Sequence, residues 1–127
     1  EVSLSPVLHL LNALELHRLF SYAAINSINI SLGFVYQSSN EEYLHTNLLT
    51  KELRQQVSDN FQRVQDSFPE LDWNTGHEHI SNLVNQEYST DIKQIEYLRR
   101  VTKYWDSHRD VKFAKQYPYL DYIFVAK

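Results

Sequence analysis

Histidine and glutamate are the residue types in this chain that suit metal binding or acid–base chemistry. Glu42 and His45 are spaced i, i+3, so on a helix they share one face and suit a single metal ion. Di-iron bundles combine two such motifs with two further glutamates, and this sequence has no second copy. His77 and His79 fall in a predicted turn, and the His-Glu-x-x-His zinc motif is absent. The spacing therefore predicts neither a metal site nor a cofactor.

Three more ionisable side chains, His9, Glu15 and His17, lie in an apolar stretch near the start of the chain. If they converged with Glu42 or His45 between helices, the chain would be a ligand-binding protein or a metal-dependent enzyme. No nucleophile elbow is present, and two glycines cannot form a phosphate-binding loop. The lack of cysteine excludes thiolate chemistry and zinc or iron–sulfur sites that use thiolates. We favour a protein that is not an enzyme, with the His/Glu pocket as the alternative.

A second set of residues suits contact with a partner. On a helix, one stripe of this set lies opposite Leu98 and Trp105. The stripe consists of Lys93, Tyr97, Arg100, Tyr104 and His108, and Arg99 and Lys103 lie beside it. Tyrosine and arginine are enriched among the residues that dominate binding energy at protein interfaces. The pattern predicts a helical interaction or scaffold domain that binds through this face.

Charge is divided unevenly along the chain. Residues 1–90 carry four basic and eleven acidic side chains, whereas residues 91–127 carry eight basic and five acidic ones. A basic, aromatic segment predicts a partner protein with an acidic or mixed polar surface. Tyrosines and cations also suit single-stranded nucleic acid, but the whole chain is acidic, with an isoelectric point near 5.8. Nucleic-acid binding is therefore the least favoured alternative.

Composition indicates the fold class that must position these residues. Two glycines and three prolines among 127 residues leave few tight turns, which favours long helices. We predict an all-α fold, an elongated antiparallel bundle of four to five helices in a single domain over 1–127. The chain does not begin with methionine, which indicates a domain excised from a longer protein. The absence of cysteine, of an apolar run of ~18 residues and of a signal pattern predicts a cytoplasmic or nuclear protein without a membrane span.

Apolar periodicity and capping residues predict the helices. A first helix covers 7–25 after Ser5-Pro6. A long helix runs from Asn40, after the Ser39 capping box, or restarts at Thr50. In either case it ends before Pro69. A short helix follows the capping box at Thr75–Glu78. A last long helix begins after 89–91, and 117–119 stops it before an extended end. The two long helices would measure ~40 and ~35 Å.

The stretch 27–36 fits two interpretations. Ile28, Ile30, Leu32 and Phe34 alternate with other residues, which is strand periodicity, but the same residues also fit a helix. We predict a helix, because no partner strand is obvious. The alternative is an α+β fold in which 27–36 pairs with 119–125 in a small sheet.

Overall fold

The computed structural model describes residues 3–34, 46–72, 76–85 and 92–124. The chain divides into two compact units, Glu1–Ser89 and Thr90–Lys127. Most of the described residues are helical, and the described strands are two residues long each. The structure confirms a mostly helical fold, and its short strands are also compatible with an α+β class. The antiparallel bundle and the single domain over 1–127 stay predictions.

In the first unit, the start of the chain pairs with the stretch 29–34. Strand β1 (Ser3–Leu4) lies parallel to β3 (Asn29–Ile30), and β2 (Val7–Leu8) lies parallel to β4 (Gly33–Phe34). Parallel strands need a long crossover, which the first helix supplies here. Residues 35–36 lie outside the described ranges, and over 27–34 the prediction of a helix was therefore wrong. So was the alternative pairing with 119–125, because residues 118–124 are helical.

Helix α1 (His17–Ile25) is shorter than the helix predicted over 7–25. Before α1, side chains form hydrogen bonds with backbone groups that a helix would otherwise pair. The Asn12 side chain accepts from the His9 N–H and donates to the Val7 carbonyl, both at 2.9 Å. The His9 ring accepts from the Leu11 N–H at 3.1 Å. Such bonds compete with helix formation. Leu10, Ala13, Leu14 and Leu16 are nevertheless in the core, because turns rather than a helix bury them.

Helix α2 (Lys51–Ser67) begins where the sequence predicted a restart. The Thr50 hydroxyl accepts from the Leu53 N–H at 3.2 Å and caps the helix, which ends just before Phe68 and Pro69. Its row of Val57, Phe61 and Val64 is buried. The alternative, an unbroken helix of ~40 Å from Asn40, was wrong, because Thr50 has extended backbone and interrupts any helix before Lys51. The Ser39 capping box and Asn40 themselves lie outside the described residues.

Apolar and polar contacts join α2 to its neighbours. Phe61 packs edge-to-face on Phe20 of α1, with ring centroids 5.1 Å apart. Helix α3 (Gly76–Val84) packs on α2 and buries Ile80 and Leu83. Arg54 of α2 is buried, and its Nη1 donates to the Leu83 carbonyl in the last turn of α3 at 3.5 Å. A cation at the C-terminal end of a helix complements the helix dipole.

The second unit is built on α4 (Ile92–Asp106), which buries Leu98 and Thr102. A loop leads to α5 (Phe113–Gln116), a 3-10 turn at Pro118–Leu120 and α6 (Asp121–Phe124). The prediction of a ~35 Å last helix was wrong, since α4 has 15 residues and spans about 22 Å. The Asp106 carboxylate accepts from the Phe113 N–H at 2.9 Å and so stabilises the turn that ends α4. Residues 118–124 of the predicted extended end are helical instead.

The end of α1 provides a test of backbone strain. Ser27 has φ 53°, and the N–H of Ile28 bonds the Ala23 carbonyl at 2.8 Å in a Schellman arrangement that usually has glycine at this position. We expect Ser27→Gly to raise the free energy of unfolding by about 0.5–1 kcal/mol, because glycine adopts positive φ without steric cost. Urea denaturation measures the change. Ser27→Val should lower the stability, and equal stability of the two variants would contradict this account.

Candidate contact face

The predicted stripe lies on the outer surface of α4. Lys93 and Arg100 are exposed, as are Tyr97 and Tyr104 at 45% and 62% of their surface. His108 is also exposed and lies in the turn just after the helix. The buried residues Leu98 and Thr102 occupy the opposite side, so the helix has the two faces that its periodicity predicted.

The stripe side chains contact one another in pairs. The guanidinium carbon of Arg100 lies 5.6 Å from the Tyr97 ring centroid, which is a cation–π distance. The Tyr104 and His108 rings meet edge to face, with centroids 5.0 Å apart. These contacts restrict the side chains before any partner binds, which lowers the entropy that binding would cost.

The two cations predicted beside the stripe differ in their surroundings. Arg99 is half-buried, and its Nε donates to the Ile123 carbonyl of α6 at 2.5 Å. Arg99 therefore holds α6 against α4. Lys103 is exposed next to the stripe, so its ammonium can extend the basic surface. Arg99 differs from Lys103 because it bonds a residue 24 positions later in the chain. The periodicity of a helix does not reveal a contact of that kind.

Trp105 departs from the prediction that it faces the core. It is 51% exposed, and its ring contacts Tyr104 edge to face at 5.8 Å. Trp105 comes one turn after Thr102 and two turns after Leu98, in the last turn of α4, where the helix extends past its buried segment. The exposed surface therefore includes a tryptophan as well as two tyrosines.

Three residues of the predicted pocket, His9, Glu15 and His17, are engaged in local contacts. Glu15 forms an exposed ion pair with Arg18 at 3.0 Å, and His9 accepts from the backbone of its own turn. His17 is half-buried beside Phe61, with ring centroids 6.5 Å apart. Across 3–34, 46–72, 76–85 and 92–124, no group of three metal-binding side chains occurs. Glu42 and His45 lie outside those ranges.

A groove that the sequence did not predict lies between α2 and α3. It encloses about 260 Å³. Its apolar lining comes from Phe61, Ile80 and Val84. Its polar lining comes from Ser58, Gln62, Gln65, His77, Ser81 and Asn85. The buried Oε1 of Gln65 has no hydrogen-bond partner, while its Nε2 donates to the Pro69 carbonyl at 3.2 Å. Among the described residues, no carboxylate lines the groove, so it does not correspond to the predicted His/Glu pocket.

No family model, no curated protein and no solved structure matches this chain. In the part of the chain that the structure describes, no helix has the length and apolarity needed to cross a membrane. The function of this chain is therefore inferred from its own surfaces.

Replacement of Arg99 measures how much its contact with α6 stabilises the fold. We expect Arg99→Ala to lower the free energy of unfolding by about 1.5 kcal/mol, because a charged hydrogen bond between α4 and α6 is lost. The matched control Lys103→Ala removes an exposed cation from the same helix and should change stability by less than about 0.5 kcal/mol. Thermal or urea unfolding of both variants measures the difference. Equal stabilities would mean that the Arg99 contact contributes nothing.

His17 should make stability depend on pH. Burial lowers its pKa below 6.5, and the positive charge of Arg18 lowers it further. The unfolded chain then binds a proton more readily than the folded one. His17 therefore contributes fully to stability above pH 6.5, and this contribution is lost as pH falls through the folded pKa.

Comparison with a non-titrating variant isolates this effect. When the pH falls from 7.5 to 5, the free energy of unfolding should decrease more for the wild type than for His17→Gln. Urea denaturation at both pH values measures it, and carboxylates affect both proteins alike. An identical pH dependence of the two proteins would refute the assignment.

Proposed function

We propose that this chain is a helical protein-interaction or scaffold domain that binds a partner protein through the α4 stripe. The observation that supports this most is the exposed row of aromatic rings and cations, Tyr97 with Arg100 and Tyr104 with His108, already in mutual contact. Large apolar side chains on one exposed face are a feature of binding surfaces.

The charge of the second unit suggests the partner's chemistry. Residues 91–127 carry eight basic and five acidic side chains, so an acidic or mixed polar protein surface complements them. Arginine fits carboxylates with a planar fork of donors, and tyrosine and tryptophan contribute large areas with few rotatable bonds. In this proposal Tyr97, Arg100 and Tyr104 supply most of the binding energy, Trp105 enlarges the contact, and Lys93 and Lys103 favour an acidic partner.

Because we propose an intracellular partner, the capture experiment uses cell extract. Wild-type chain and a Tyr97→Ala, Arg100→Glu, Tyr104→Ala variant serve as baits, and captured proteins are identified by mass spectrometry. The affinity of an identified, purified partner is then measured for both. We expect the variant to bind more than about 30-fold more weakly, because truncating one dominant interface residue costs ~2 kcal/mol.

A matched control changes an aromatic and a cationic residue elsewhere. Tyr22→Ala with Arg18→Glu alters an exposed pair on α1, and it should bind the partner as the wild type does. Circular dichroism checks that every bait is folded. A folded triple variant that retains the wild-type affinity would refute the proposal. Binding that is lost with nuclease treatment, and that falls steeply with salt, would instead support the nucleic-acid alternative.

A further inference from the structure

The exposed side of α2 carries a stripe of the opposite charge to that of α4. Its carboxylates are Glu52, Asp59 and Asp66, all exposed and seven residues apart. Seven residues are close to two helical turns, so the three carboxylates follow one line at intervals of about 10.5 Å. We call this line the α2 acidic row. Arg63 lies beside the row, but its guanidinium donates to Asn60 of its own helix.

Glutamines hold two of these carboxylates in place. Gln55 donates to the Asp59 carboxylate at 3.0 Å, and Gln62 donates to the Asp66 carboxylate at 2.9 Å. These bonds span i, i+4 and direct the acidic groups along the helix surface. The α2 acidic row therefore alternates carboxylate and amide at spacings of three and four residues.

The α4 stripe has the same repeat with opposite charge. Lys93 and Arg100 are seven residues apart, and so are Tyr97 and Tyr104, which alternate with them at spacings of four and three. Two helices with matching three–four spacing pack along a shared line, and opposite charges at their flanks determine which helices pair. Two cations spaced by about 10.5 Å can face two carboxylates with the same spacing, while tyrosines face glutamines.

We infer that the α4 stripe of one copy of this chain binds the α2 acidic row of a second copy. This inference rests on the proposed function, and it names a second copy as the acidic protein surface. Charge complementarity and equal spacing carry it. One pair of helices over about three turns covers less than the 1,200–2,000 Å² of a typical stable complex, so we expect a dissociation constant of about tens to hundreds of micromolar. Exposed ion pairs also make the association sensitive to salt.

Charge reversal tests the pairing. The first variant reverses the stripe with Lys93→Glu and Arg100→Glu. The second reverses the row with Asp59→Lys and Asp66→Lys, and a third carries all four changes. All four positions are exposed on helices, and circular dichroism checks their fold. If the second variant were unfolded, Asp59→Asn with Asp66→Asn would remove the charges while it keeps an acceptor for each glutamine.

Sedimentation velocity from micromolar to near-millimolar protein, at low and high salt, gives the result. Wild type should associate at low salt and dissociate at high salt. The first and second variants alone should associate at least about tenfold more weakly, since each then carries like charges on both surfaces. Their equimolar mixture should associate again, because the reversed stripe of one faces the reversed row of the other. The variant with all four changes should also associate.

Three results would overturn the inference: a wild type that stays monomeric over the whole range at low salt, reversed variants that associate as the wild type does, or a mixture that does not associate. The proposed function is judged separately. Capture of a different protein that depends on Tyr97, Arg100 and Tyr104, by a chain that stays monomeric, would retain the contact face and reject a second copy as its partner.

Discussion

The packing of Phe61 against Phe20 is the interaction on which the first unit depends most. It joins α1 to α2, and Phe61 also lines the groove that α2 forms with α3. Since Val57, Phe61 and Val64 must face inward, the rotation of α2 about its axis is determined. The side that carries Glu52, Asp59 and Asp66 is then necessarily exposed. The core contact therefore determines which residues of α2 can meet another molecule.

In the second unit, too, the buried residues determine which side of the main helix is exposed, and the core is smaller. Leu98 and Thr102 are the buried residues of α4, and Leu120 and Ile123 are buried in the segment after the loop. Arg99 bonds the Ile123 carbonyl and so aligns that segment with the middle of α4. The outer side of α4, with Lys93, Tyr97, Arg100 and Tyr104, is left to solvent or to a partner. A small unit thus presents large aromatic side chains because it has too few residues to cover them.

Prediction from sequence succeeded where a local pattern was strong. Thr50, the apolar row of α2 and Pro69 gave the bounds of that helix, and the alternation of polar and apolar residues gave the outer face of α4. It failed where distant or side-chain bonds compete with periodicity. Asn12 and His9 take backbone groups and prevent a helix before His17, although the leucines there fit one. The partner of 29–34 lies 26 residues earlier, a pairing that periodicity does not encode.

The parallel strands also bear on how the chain emerges during synthesis. Every paired position, from Ser3 with Asn29 to Leu8 with Phe34, is separated by 26 residues, and the intervening chain must complete α1 before the pairing forms. At typical translation rates of 5–20 residues per second, the first strands wait roughly 1–5 s for their partners. During that interval Leu4 and Leu8 have no strand to pair with. The strands at the start of this unit therefore stay unpaired until 29–34 has been made.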